Sequence, residues 1–199
     1  MNDLAKFAFS AAEGFDEAAV RRAFSHAVAL KTVVIYCYDP RASRIPELVA
    51  ERLGDVYPGE IILDGQGRKA ASTTTIFPIV VAGGRASDAL RSIAVAQHLF
   101  GIENVVVVHH SFCGATSFTA EGIIGAFQRE HDTDIGSAFP REALCISDYE
   151  QSLKSDVALI RDQPGTPKSV NIFGFFHEID SGELALVATS PGIPKPAAA

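Results

Sequence analysis

The strongest constraint on the fold is a set of short, continuously apolar runs separated by stretches with helical spacing. Thr32-Val33-Val34-Ile35-Tyr36 and the run from Val105 to Val108 are apolar at successive positions. Successive strand residues point to opposite faces, so a strand of this kind is buried on both sides. Such strands belong to parallel sheets covered by helices. Helical spacing appears between residues 15 and 29 at Phe15, Ala18, Val20, Phe24, Ala27 and Val28, with Asp16 placed to cap the start. Pro46 opens a short helix over Glu47 to Leu53, and a strongly amphipathic one spans Ser87 to Phe100, with Gly101 as its stop. Thr119 to Glu130 and Asp148 to Ile160 read as two more helices.

Further strands are expected at Glu60 to Leu63, ended by Asp64-Gly65-Gln66-Gly67, and at Ser169 to Phe175. A last strand, Glu183 to Ala188, follows the turn Ile179-Asp180-Ser181-Gly182 and makes an edge hairpin. Residues 71 to 82 mix β-formers with Pro78 and fit no element. The expected fold class is α/β: a mostly parallel central sheet of about five strands with flanking helices and a C-terminal edge hairpin. The expected organisation is an N-terminal helical arm (1–30), one domain (31–190) and a flexible Pro/Ala tail (191–199).

A chain of 199 residues with net charge −7 presents an acidic surface. That argues against nucleic acid and anionic membranes as partners. No apolar run approaches the roughly 20 residues that span a bilayer, and Met1 to Lys6 resembles no signal peptide, so a soluble cytoplasmic protein is expected. Three cysteines in a reducing compartment do not suggest a disulfide framework.

Chemistry in open α/β sheets collects at the carboxyl ends of strands. Cys37 follows the first apolar strand, and His110 and Cys113 follow another at His-x-x-Cys spacing. Zinc favours thiolate and imidazole ligands in tetrahedral geometry, and three protein ligands leave one position for water. A lone strand-end cysteine is usually a buried small hydrophobe; the combination is what points to metal. Cys37 also opens Cys37-x-Asp39-x-Arg41. A carboxylate two residues from a thiolate ligand reaches a metal-bound water, and an arginine two further on pins it by a bidentate pair. The bland alternative is a surface ion pair in a turn favoured by Pro40. His109 is rejected as a ligand, because adjacent strand residues face opposite ways. Cys145 matches no motif and reads as a structural or exposed free thiol.

Cys-x-Asp-x-Arg after the first strand, then His-x-x-Cys-Gly after an apolar strand, resembles the β-carbonic anhydrase signature. The stretches Asp156 to Arg161 and Gly174 to Leu184 resemble that family's late helix and closing hairpin. The resemblance implies a Zn²⁺ cofactor on Cys37, His110 and Cys113, with Asp39 and Arg41 as catalytic dyad. It also implies a homodimer or dimer of dimers, with the arm crossing to a partner copy. His109-His110 and Thr116-Ser117-Phe118-Thr119 are similar to the clade D branch, which includes carbonyl sulfide hydrolases. Two departures alter the walls. Asp64-Gly65-Gln66-Gly67-Arg68 occupies the place read for the usual Arg-Asn-Ala-Gly-Asn loop, and Phe112 replaces a polar residue of the usual His-Thr-Asp-Cys-Gly.

The expected activity is that of a zinc-dependent hydrolase or lyase, in which hydroxide attacks the carbon of a small linear CO2-like molecule. A wall that trades a polar group for Phe112 favours carbonyl sulfide, yielding CO2 and hydrogen sulfide, though whether Phe112 faces the pocket is open in the sequence. One alternative is a carbonate dehydratase, which hydrates CO2 reversibly to bicarbonate. Another is a non-catalytic zinc protein, structural or CO2-sensing, with Asp39 as fourth ligand. Other enzyme classes fit poorly. The sixth position after Cys113 is Thr119 where a cysteine phosphatase needs Arg, and Gly83-Gly84 form neither a G-x-G-x-x-G nor a Walker loop.

Overall fold

A computed structural model of the chain describes residues 4–194. Residues 1–3 and 195–199 lie outside the described residues, and with them the start of the expected arm and most of the expected 191–199 tail. The element order is α1 (Glu17–Ala27), β1 (Thr32–Cys37), α2 (Ile45–Leu53), β2 (Ile61–Leu63), β3 (Lys69–Ser72), β4 (Ile76–Val81), α3 (Leu90–Phe100), β5 (Asn104–His110), α4 (Ala120–His131), α5 (Arg141–Leu144), α6 (Tyr149–Asp162), β6 (Asn171–His177) and β7 (Leu184–Ser190).

The central sheet runs β4-β1-β5-β6-β7, parallel except for β7, which returns antiparallel to β6 as the expected edge hairpin. Side chains alternate between two cores. Val33, Ile35, Val105 and Val107 pack with Ile93 of α3 and with Leu153, Val157 and Ile160 of α6. Val34, Tyr36, Val106 and Val108 pack with Ile45 and Val49 of α2. The apolar runs thus serve both faces at once, which is why they carry no alternation.

One strand assignment is corrected. Ile61–Leu63 is not in the central sheet; it pairs antiparallel with β3 in a separate, exposed hairpin. The fifth strand is β4, from the stretch that fitted no element, with Pro78 opposite Val34. β4 is an edge strand, where a residue without an N–H is tolerated. The loop after the strand beside β1 is therefore Ala82-Gly83-Gly84, not residues 64–68. That loop carries an Ala-Gly pair at Ala82-Gly83, preceded by Val80-Val81.

The helix ends follow local chemistry. Asp16 Oδ1 accepts from the Ala19 N–H at 3.1 Å, and Thr119 and Asp148 cap α4 and α6 the same way. α3 ends on Gly101 in the left-handed conformation. No helix among the described residues is long and apolar enough to cross a membrane.

Candidate metal centre

In sequence order the sheet strands run 2-1-3-4-5, so the chain reverses direction across the sheet between β1 and β5. At such a switch point the carboxyl ends of neighbouring strands open a crevice. β1 ends there on Cys37, β5 ends on His110, and Cys113 follows one turn later. All three are buried, and their ligand atoms lie within 4.8 Å of one another.

The donors fit a zinc ion. The Cys37 and Cys113 Sγ atoms are 3.8 Å apart. Two thiolates bound at about 2.3 Å in a tetrahedron sit about 3.8 Å apart, far beyond disulfide length. His110 Nδ1 donates to the Ser111 carbonyl at 2.9 Å, which leaves the lone pair on Nε2. That Nε2 is buried with no hydrogen-bond partner among the described residues. Burial holds His110 below the usual imidazole range, so the ring is neutral. Burial, with Cys37 alongside, pushes the Cys113 thiol up to about 11. Two thiolates side by side need a cation to replace their protons, and metal binding supplies it.

Asp39 and Arg41 meet as the Cys-x-Asp-x-Arg spacing suggests. Arg41 Nε and backbone N–H donate to Asp39 Oδ1, each at 3.0 Å, and Nη2 donates to Oδ2 at 2.6 Å. These bonds hold the Asp39 carboxyl down at about 2. Arg41 Nη2 also donates to the Phe112 carbonyl at 3.0 Å. Phe112 has φ +55, the left-handed region, and its carbonyl meets Arg41 while the residue stays 71% exposed. The ring therefore joins neither pocket nor core.

A cavity of about 400 Å³ opens beside Cys37 and Asp39, walled by Pro40, Ala115, Phe118, Ala143, Leu144 and Cys145 among others. Cys145 is a free, half-buried thiol, and its place on this wall was not legible in the sequence. Nor were Arg85, which lines the same cavity, and Tyr149, whose Oη accepts from the Cys113 N–H at 3.2 Å. His109, one residue before His110, faces α6 as alternation requires. It bonds Ser152 Oγ at 2.9 Å, and burial pushes it down to about 3.

Gly84 sits over the gap between β1 and β5 at φ +67. A Cβ there would lie 2.7 Å from the Val108 oxygen and 3.1 Å from the Cys37 nitrogen. Both are backbone atoms of the strands that end at Cys37 and His110, and they cannot swing aside. Gly84→Ala is expected to cost about 2–4 kcal/mol from the left-handed backbone and the clash together. Thermal unfolding of the zinc-loaded protein should show the fall, and an unchanged midpoint would contradict it.

No family model matches the chain. It is 30% identical over 99 residues to β-carbonic anhydrase 1 of Mycobacterium tuberculosis, covering 49% of this chain and 57% of that protein. It is 27% identical over 111 residues to the carbon disulfide hydrolase of Acidithiobacillus thiooxidans, covering 49% and 56%. The chain thus matches less than two thirds of the length of either relative. The crystal structure of carbonic anhydrase from Streptococcus mutans superposes with a TM-score of 0.61 at 23% identity, over 86% of this chain and 95% of that one.

Proposed function

From a fold and a stretch of sequence shared with β-carbonic anhydrases and carbon disulfide hydrolases, we propose that this chain is a zinc enzyme adding water to the carbon of a small linear CO2-like molecule. The observation that carries the reading is the buried Cys37, His110 and Cys113 group with an arginine-held carboxylate two residues from its first member. When bound there, zinc supplies hydroxide at neutral pH by lowering the pKa of water to about 7.

The chain's own residues do the rest. Cys37, His110 and Cys113 would hold the ion. Asp39, ionised throughout the working range, accepts two bonds on Oδ1 and one on Oδ2 from Arg41. One acceptor site on Oδ2 remains. It would accept a hydrogen bond from the reacting water and orient that water's lone pair toward the substrate carbon. Arg41, tied also to the Phe112 carbonyl, keeps Asp39 from turning to the metal as a fourth ligand. That arrangement supports catalysis over a closed, structural site. The cavity beside Asp39 receives the substrate against Phe118, Ala115 and Leu144.

The favoured substrate is carbonyl sulfide, with water giving CO2 and hydrogen sulfide. Support comes from the largely apolar wall, and from similarity to a carbon disulfide hydrolase. Phe112, which suggested this substrate in the sequence, lends no side chain to the wall. Equal assays of the zinc-loaded protein on both gases test the assignment. Sulfide release at a rate matching or exceeding CO2 hydration is expected. Fast CO2 hydration with negligible sulfide would make the protein a carbonate dehydratase, and turnover of neither gas would end the enzyme reading.

Assembly with a second copy is part of the proposal. α1 buries none of its described residues, and Leu4, Phe7 and Phe9 before it are 70%, 75% and 63% exposed. An apolar arm without a core of its own needs a neighbour. Sedimentation should give a dimer or larger species for the full chain, and Phe7→Glu with Phe9→Glu should shift it toward monomer. A monomeric full chain would contradict this.

A further inference from the structure

The cavity wall formed by Ala143, Leu144 and Cys145 lies outside the sheet, at the end of the four-residue α5 and its exit. A single arginine, which itself lines the cavity, holds this segment. Arg85 Nη1 donates to the Glu142 carbonyl at 2.7 Å and to the Cys145 carbonyl at 3.0 Å. Its Nε and Nη2 donate to Asp156 Oδ2 and Oδ1 of α6 at 3.0 and 3.2 Å. The side chains of Arg85 and Asp156 are 8% and 1% exposed. The Ile146 N–H then donates to the Ala115 carbonyl at 2.9 Å, fastening the segment to the loop after Cys113.

A buried ion pair is weak evidence of a stabilising role, since an apolar pair often holds two elements together as well. An apolar pair would not make the two bonds from Nη1. Those bonds satisfy carbonyls that a one-turn helix leaves free at its end. They also determine where Leu144 and Cys145 stand against the cavity. Lysine would keep the charge opposite Asp156 but lacks the planar fork that reaches both partners.

We propose that Arg85 is a positioning residue for substrate uptake: it clasps residues 142–146 and so holds the apolar wall of Ala143 and Leu144 against the cavity beside Cys37 and Asp39. The role in uptake rests on the proposed function; the clasp itself does not. With the clasp loosened, water enters and the substrate loses an apolar contact, while the metal ligands, Asp39 and Arg41 keep their places. Loss of binding felt equally by substrate and transition state raises KM and leaves kcat unchanged.

The test compares zinc-loaded wild type with Arg85→Lys by hydrogen exchange and by steady-state kinetics on CO2 and carbonyl sulfide. Amides of residues 142–146 should exchange at least about 10-fold faster in the variant, which reads the opening of the segment without any activity. KM should rise roughly 10-fold, the lower end of what one apolar contact contributes in a pocket, with kcat within about twofold and zinc content unchanged. If Arg85→Lys does not fold, Arg85→Met combined with Asp156→Met removes both charges together and should show the same two effects. Unchanged exchange across 142–146 in the folded variant would overturn the clasp. Faster exchange with unmoved KM, or a fall in kcat alone, would overturn its role in uptake. Turnover of neither gas by the wild type would overturn the uptake role together with the proposed function, while exchange would still decide the clasp.

Discussion

Replacing Cys113 by serine is expected to remove the metal and the activity in one step. The thiol is one of three buried donors whose ligand atoms lie within 4.8 Å, with the Cys37 sulfur 3.8 Å away. A serine hydroxyl at that place ionises far less readily than a thiol and is a poor zinc ligand. Zinc by elemental analysis should fall from about one ion per chain to under about a tenth, with turnover of either gas lost. The comparison also has a thermodynamic arm. An ion held at 1,000 times its dissociation constant adds about 4 kcal/mol to the folded state. A chelator should therefore lower the unfolding temperature of the wild type and leave Cys113→Ser where it already lies. Full activity in the variant, or equal zinc content, would end the metal assignment.

Asp39→Asn is expected to separate chemistry from metal binding. Asparagine keeps the shape and an oxygen for the two donors that meet Oδ1, but its amide NH2 then faces Arg41 Nη2 in place of Oδ2. The fork opens, and the acceptor for the attacking hydroxide is lost. Positioned proton acceptors contribute about 10²–10⁴ in rate, so kcat should drop by that order with zinc content unchanged. Arg41→Met tests the other half. It frees Asp39 from its fork, and activity should fall while zinc is retained. If Asp39→Asn kept wild-type turnover, the carboxylate would be a turn-stabilising ion pair and nothing more. If it lost zinc, Asp39 would be a ligand and the site a closed one.

Much of the site was legible because its grammar is local. Cys37, Asp39 and Arg41 lie within five residues, and His110 and Cys113 within four. An Asp-x-Arg in a turn brings its two charges together with little help from elsewhere. His109 was separable from His110 by strand alternation alone, and α6 duly claims it through Ser152. The Phe112 ring was not legible. Its direction follows from a left-handed backbone that no local pattern announces, held by a bond from Arg41, 71 residues away.

By itself, the sequence determined that this chain builds a parallel sheet buried on both faces. Val33 to Tyr36 and Val105 to Val108 have no polar side to offer water, and Asp16, Thr119, Asp148 and Gly101 mark helix ends through bonds to their own neighbours. Tertiary structure alone decided which run stands beside β1. Ile61–Leu63 is as apolar as a core strand but ends up exposed, while Ile76–Val81 enters the sheet despite Pro78, because an edge forgives what a centre cannot. It also decided Arg85, whose partners lie 57 to 71 residues away in sequence. Propensity and periodicity report what a segment can become. Pairing between distant segments is settled by loop closure and shared burial, and those exist only once the whole chain has folded.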